Sequence, residues 1–145
     1  YQAFKNSDRV QVVLKYHPGM TYHRFPKALE LAALPPNFAL STQPLKMLLK
    51  YCNVLVYSSS GTCLEAAAIG VPCIRVESSL ALYWDPLESV PQLRAVVYDS
   101  QELNERVLKL LDEDEENINE NRMKSRQALS DLLGPVDEKT YKLFS

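Results

Sequence analysis

Glycine is scarce in this chain, with four in 145 residues. Neither phosphate-cradling pattern, G-x-x-x-x-G-K-[ST] or G-x-G-x-x-G, occurs, which removes the fingerprints of P-loop nucleotidases and dinucleotide-dependent dehydrogenases. Cysteine is limited to Cys52, Cys63 and Cys73, an odd number without CxxC spacing and placed in or beside apolar segments. That usage argues against a structural disulfide or a zinc site and for reduced thiols in a cytoplasmic protein. No apolar run approaches the roughly 20 residues of a membrane helix, and no charged-then-apolar leader opens the chain, so a soluble protein is expected. Neither sign of charge dominates: 16 Lys and Arg stand against 18 Asp and Glu, a net charge of −2. Nucleic acid and acidic membrane surfaces are therefore poor candidate partners.

What is present fits one globular domain, with 46% hydrophobic and 23% charged residues. The chain opens on Tyr1, and Tyr1 to Asp8 reads as the end of a helix running into a strand. The expectation is an excised fragment of a longer protein, with a whole partner domain among what would precede it.

Val10 to Tyr16 (VQVVLKY) is a β-branched run closed by His17-Pro18-Gly19, hence a strand and turn. Pro26 to Leu34 reads as a short helix stopped before Pro35-Pro36. A short strand at Phe38 to Ser41 precedes a helix from Pro44 to Cys52, where Leu45, Leu48 and Leu49 share one face. Asn53 to Tyr57 (NVLVY) has the continuous apolar character of a parallel strand covered on both faces. Thr62 to Ile69 is rich in helix formers and ends at Gly70 and Pro72. Strands follow at Cys73 to Glu77 and Ala95 to Tyr98. Asp99 and Glu102 then form a capping box for a helix whose Leu103, Val107, Leu110 and Leu111 recur on one face. An acidic turn, Asp112 to Glu116, leads to a last helix from Ile118 to Leu133. This alternation predicts an α/β, Rossmann-like three-layer fold with an open, mainly parallel sheet.

In such sheets ligands bind beyond the carboxyl ends of the strands. The segment after Tyr57 is the most informative: Ser58, Ser59 and Ser60, then Gly61, Thr62 and a helix. Hydroxyls and free backbone N–H groups at a positive helix end suit a phosphate or diphosphate. Gly61 permits close backbone approach, and Glu65, one turn on, is placed to accept hydrogen bonds from a ribose diol. The competing view is purely structural: Ser60 caps the helix, Gly70 and Pro72 end it, and Glu65 faces solvent. Taken singly the residues favour that view, whereas the package after an apolar strand favours the anion site.

The run Ser60-Gly61-Thr62-Cys63-Leu64-Glu65-Ala66-Ala67-Ala68-Ile69-Gly70-Val71-Pro72 resembles the donor-site signature of GT-B glycosyltransferases. There, a Ser-Gly or similar turn is followed by Glu-Ala, a small residue, Gly and Pro. Lipid-A-disaccharide synthases and non-hydrolysing UDP-N-acetylglucosamine 2-epimerases carry similar segments. Lys15-Tyr16-His17-Pro18 is similar to the Lys-x-His-Pro strand end of bacterial surface-carbohydrate and polyol-phosphate transferases, and the layout from Pro72 to Asp99 to that of surface-polysaccharide biosynthesis proteins. The resemblance spans about residues 10 to 111. It implies the C-terminal, nucleotide-sugar-binding domain of a metal-independent glycosyltransferase, its opening strand and helix missing here, with the nucleotide sugar as donor substrate, no further cofactor, and an N-terminal acceptor domain as partner. By position it implies that Gly61 and Thr62, with Ser59 and Ser60 beside them, contact the diphosphate, that Glu65 holds the ribose, and that Ala39 to Thr42, with Ser41 and Thr42, meets the base. Retaining members carry a second glutamate eight residues before the ribose glutamate. Tyr57 stands there, so a Glu-x7-Glu mechanism is not implied.

His17 is the candidate catalytic group, acting electrostatically on a phosphate or sugar oxygen beside Lys15; the alternative is a histidine that ends a strand and bonds the backbone. His23 has no assigned role. Arg75, between Ile74 and Val76, is expected to pair with an acid rather than a phosphate. Tyr83, Trp84 and Asp85 are read as a local cluster over the core in preference to an acceptor-side surface. Cys63 is read as a small buried hydrophobe. Tyr57-Ser58-Ser59-Ser60-Gly61 imitates the hydrolase elbow G-x-S-x-G but lacks its first glycine, and both histidines precede Ser59, contrary to the order of that triad. The remaining alternatives are an epimerase or polyol-phosphate transferase half, and a Rossmann-like interaction module without chemistry.

Overall fold

Two short strands, β1 (Val12–Leu14) and β2 (Phe38–Leu40), pair in parallel in the computed structural model, which describes residues 1–15, 34–77 and 84–133. They belong to the first of two compact units, Tyr1–Lys50 and Tyr51–Ser145. Parallel pairing demands a crossover, and the helix expected from Pro26 to Leu34 falls in that crossover, outside the described residues but for Leu34. The core of this unit includes Phe4, Val10, Phe38 and Leu49. Its main polar clamp is Asn37, whose buried amide donates to the carbonyls of Phe4 (2.9 Å), Val10 (3.0 Å) and Ser7 (3.1 Å). One side chain thus replaces the solvation of three loop carbonyls, the condition for burying irregular backbone. Helix α1 (Leu45–Leu49) closes the unit, with Leu49 buried and Leu45 and Leu48 half-buried, the face expected from their spacing.

The second unit holds β3 (Leu55–Tyr57), β4 (Cys73–Val76) and β5 (Arg94–Val97) in that spatial order, all parallel. Helix α2 (Thr62–Ala68) connects β3 to β4, a 3-10 turn at Pro91–Leu93 leads into β5, and α3 (Ser100–Leu111) and α4 (Glu115–Leu133) follow. Helices alternating with parallel strands in open sheets make the architecture α/β and Rossmann-like, as the sequence pattern predicts. The sheet is divided, however, with two strands in one unit and three in the other.

β1 to β4 are shorter than their expected runs and β5 is displaced by one residue, because ladder pairing rather than side-chain character sets the ends. At β3 the first ladder bond is Leu55 N–H to Pro72 O, 2.9 Å, so Asn53 and Val54 stay outside. The two-sided burial expected for this strand is not observed. Val56 is 40% exposed while Tyr57 is buried, since β3 is an edge strand and α2 packs on one of its faces. Helix α4 begins three residues earlier than expected: Asp114 at its head accepts from Asn117 N at 2.9 Å, a capping arrangement inside the supposed acidic turn.

Asp99 caps α3 as expected, accepting from Gln101 N (2.8 Å) and Glu102 N (2.9 Å). Glu102 reciprocates one residue further back than the standard box, on Tyr98 N at 2.8 Å. Among the described residues no helix is long and apolar enough to cross a membrane.

Candidate ligand site at the ends of the parallel strands

Side-chain alternation decides what lies on each face of the three-stranded sheet. Tyr57 is opposite Arg75, and Cys73 is opposite Arg94, so Tyr57, Cys73, Arg75 and Arg94 share one face. That face meets α2: the Cys73 thiol lies 3.6 Å from the Cys63 carbonyl at the start of the helix. Ile74 and Val97 point the other way, into apolar surroundings.

Two arginines on a covered face need counter-charge, and Asp85 provides it. Its side chain is fully buried. Oδ1 accepts from the Tyr57 hydroxyl at 2.9 Å and from Leu87 N at 3.1 Å, and Oδ2 pairs with Arg94 Nε and lies 3.8 Å from Arg75 Nε. Arg75, 3% exposed, donates from Nε to the Ser58 carbonyl at 3.2 Å and grips Glu77 with both terminal nitrogens, Nη1 to Oε2 and Nη2 to Oε1. The expected acid partner for Arg75 therefore exists, and there are two. Asp85 itself had no signal in local spacing. Its partners come from β3, β4 and β5, which only the sheet brings together. Trp84, its neighbour, is 57% exposed and does not cover the core; Tyr83 lies outside the described residues.

Burial of Tyr57, then its hydrogen bond to the Asp85 carboxylate, pushes its phenol far above the ordinary range. The hydroxyl therefore stays a donor to Asp85. Tyr57 is thus a neutral phenol with a structural role on this face.

Ser58 to Glu65 begins at the carboxyl end of β3. Gly61 is the residue preceding α2, with φ −59° and ψ −14°, a helical conformation open to any residue. A Cβ built there meets no atom of the described residues within 4 Å. The glycine is thus required neither by backbone strain nor by packing among the described residues. The Ser60 and Thr62 hydroxyls are 2.8 Å apart, and Ser60 Oγ also accepts weakly from Thr62 N at 3.3 Å. Ser59 and Glu65 are exposed. With seven residues, α2 carries a small dipole, so hydroxyls and open space, more than a helix end, characterise this turn.

Of the other candidates, Ser41 and Thr42 lie in the first unit, where Ser41 Oγ accepts from Gln43 N at 3.2 Å and Thr42 is exposed. His17 and His23 lie outside the described residues. Two shallow hollows, one lined by Lys5, Ser7, Gln11 and Asn37 and one by Tyr98, Glu102, Arg106 and Lys109, include no residue of Ser58 to Glu65.

Cys63 and Cys73 behave as buried apolar groups, whereas Cys52 is half-buried. Cys63 is fully buried and Cys73 3% exposed. Burial raises both thiols; the Tyr57 hydroxyl partly opposes this at Cys63, and Cys73 reaches about 12 from an ordinary value of 9.0. For an acid whose folded pKa is raised, folding favours the protonated form. The associated stability is complete below pH 9 and drains away as pH rises from about 9 toward 12. Urea midpoints measured from pH 8 to 11 should therefore fall with pH, and Cys73→Ala should flatten that fall. Parallel curves for the two proteins would contradict the assignment.

Comparison with protein-family models, with curated proteins and with solved structures yields no match.

Proposed function

We propose that the chain binds a nucleotide-diphosphate sugar at the Ser58–Glu65 turn and forms the donor-binding part of a glycosyltransferase of surface polysaccharide or glycoconjugate biosynthesis. The observation that carries this reading is the open space at Gly61, beside the Ser60 and Thr62 hydroxyls, at the carboxyl end of a parallel strand. Glycine here has no structural reason in the described fold, and approach of a phosphate to backbone supplies one. In this reading Ser59, Ser60, Gly61 and Thr62 meet the diphosphate and exposed Glu65 accepts from the ribose hydroxyls. The acceptor and its general base would belong to a partner domain.

The test is calorimetric titration with UDP, CDP, GDP and CMP. One nucleoside diphosphate should bind saturably and CMP, lacking the second phosphate, more weakly. Gly61→Ala should weaken binding about tenfold, equivalent to about 1.4 kcal/mol, with an unchanged melting temperature, because the residue has room and a helical φ. Glu65→Ala should act similarly. Absence of binding by all four nucleotides, or indifference to both substitutions, would remove the donor site and leave an interaction module as the better account.

A further inference from the structure

Arg75 makes three kinds of contact at once, to the loop after β3 (Ser58 O), to the residue after β4 (Glu77), and to the carboxylate that anchors the sheet face (Asp85). The first two lie at the carboxyl ends of adjacent parallel strands, the rim where ligands sit in such sheets. A guanidinium is suited to this because its donors form a rigid planar fork. Fixing Glu77 through both terminal nitrogens leaves Nε in a set direction, toward Ser58. Asp85 is in turn immobilised by Tyr57, Leu87 N and Arg94. The chain of contacts therefore runs from the sheet interior to the first residue of the turn.

We infer that Arg75 is a positioning residue, which holds the Ser58–Thr62 turn in the conformation that presents its hydroxyls and the Gly61 backbone to ligand. Its value as a site element rests on the donor-site reading above; its grip on the turn does not. The carbonyl of Ser58 has a charged donor on its inner side, so the chain leaves β3 in one direction, and Ser60 and Thr62 reach their 2.8 Å separation from a fixed base. The Glu77 carboxylate, 26% exposed, closes the other end of the fork. Arginine rather than lysine is needed, because a single ammonium cannot span Ser58 O and both oxygens of Glu77.

The experiment compares Arg75→Lys and Arg75→Met with Val107→Ala, a core truncation in α3 whose side chain is buried and takes no part in the polar network. Amide hydrogen exchange of the segment Ser58 to Leu64 is followed without ligand at urea concentrations that equalise global stability. The amides of Cys63 and Leu64, bonded to Ser60 O and Gly61 O, report the turn. Both arginine variants should exchange there about tenfold faster than Val107→Ala, the factor carried by one charge-assisted hydrogen bond. Equal exchange in all three proteins would overturn the inference. The Lys variant keeps the charge and so remains informative should the Met variant fail to fold. A parallel titration with UDP, CDP and GDP separates the two readings. Fast exchange with none of the three bound by the unmodified chain leaves Arg75 a positioner of the turn and defeats only the donor site. Where one of them does bind, its dissociation constant should rise about tenfold in Arg75→Lys and stay unchanged in Val107→Ala.

Discussion

Replacing Asp85 with alanine is expected to destabilise the protein by about 3–5 kcal/mol, the cost of leaving a buried ionic group without its partner. The Arg94 side chain, 12% exposed, would lose this carboxylate, while Arg75, 3% exposed, would keep Glu77 but lose its second acid, and neither can turn to water without opening the sheet face. The Tyr57 hydroxyl and Leu87 N–H would lose their acceptor in the same step. Against a typical domain stability of about 5–15 kcal/mol, such a loss approaches unfolding. Asp85→Asn keeps the shape and one acceptor but removes the charge, and should fall between alanine and the native residue. Equilibrium urea unfolding at pH 7 checks this, with the two-state slope as control. A change below about 1 kcal/mol would place Asp85 with exposed ion pairs, which contribute little, and would contradict its burial.

Gly70→Ala should produce the second large effect, a loss of about 2–5 kcal/mol. Two terms add. Gly70 has φ +81° at the end of α2, a left-handed conformation that costs other residues about 1–2 kcal/mol. The added methyl would also stand 2.6 Å from Arg122 Cβ and 2.8 Å from its Cα, and relieving such overpacking costs about 1–3 kcal/mol. Because the Arg122 backbone is involved, the clash cannot be resolved by a rotamer change and must move α4 away from α2. Thermal and urea denaturation give the magnitude. Gly61→Ala is the internal control, since it adds the same methyl at a helical φ and in open space. Equal losses at the two glycines would refute the packing argument.

The contrast between these glycines shows how far the sequence could be read. Gly70 was legible as a helix stop because its role is local: a left-handed residue after a run of helix formers, two residues before Pro72. That Arg122 lies against it was not legible, since 52 positions separate the two and nothing in α4 marks which turn will meet α2. The strand-turn-helix around Gly61 was visible for the same local reason, but not the open space beside it.

The polar network divides in the same way. Arg75 stood out as a charge within an apolar strand, and an acid partner was expected. Glu77, two residues on and on the same face, was available from alternation alone. Asp85 and Arg94 were not, because one follows an irregular stretch and the other begins a strand from which the sequence reading started one residue later. Trp84 was read with Tyr83 and Asp85 as a cluster over the core and proved exposed, whereas the aspartate beside it is the buried member.

By itself, then, the sequence determined the α/β class, the alternation of elements, the caps at Asp99 and Gly70 and the burial of Cys63. These follow from periodicity, backbone preference and composition, which act within a few residues. Only the tertiary structure decided that Tyr57, Arg75 and Arg94 share one covered face and converge on Asp85, and that Arg75 reaches the Ser58 turn. Strand register, not spacing along the chain, puts those charges side by side, and burial makes their pairing obligatory.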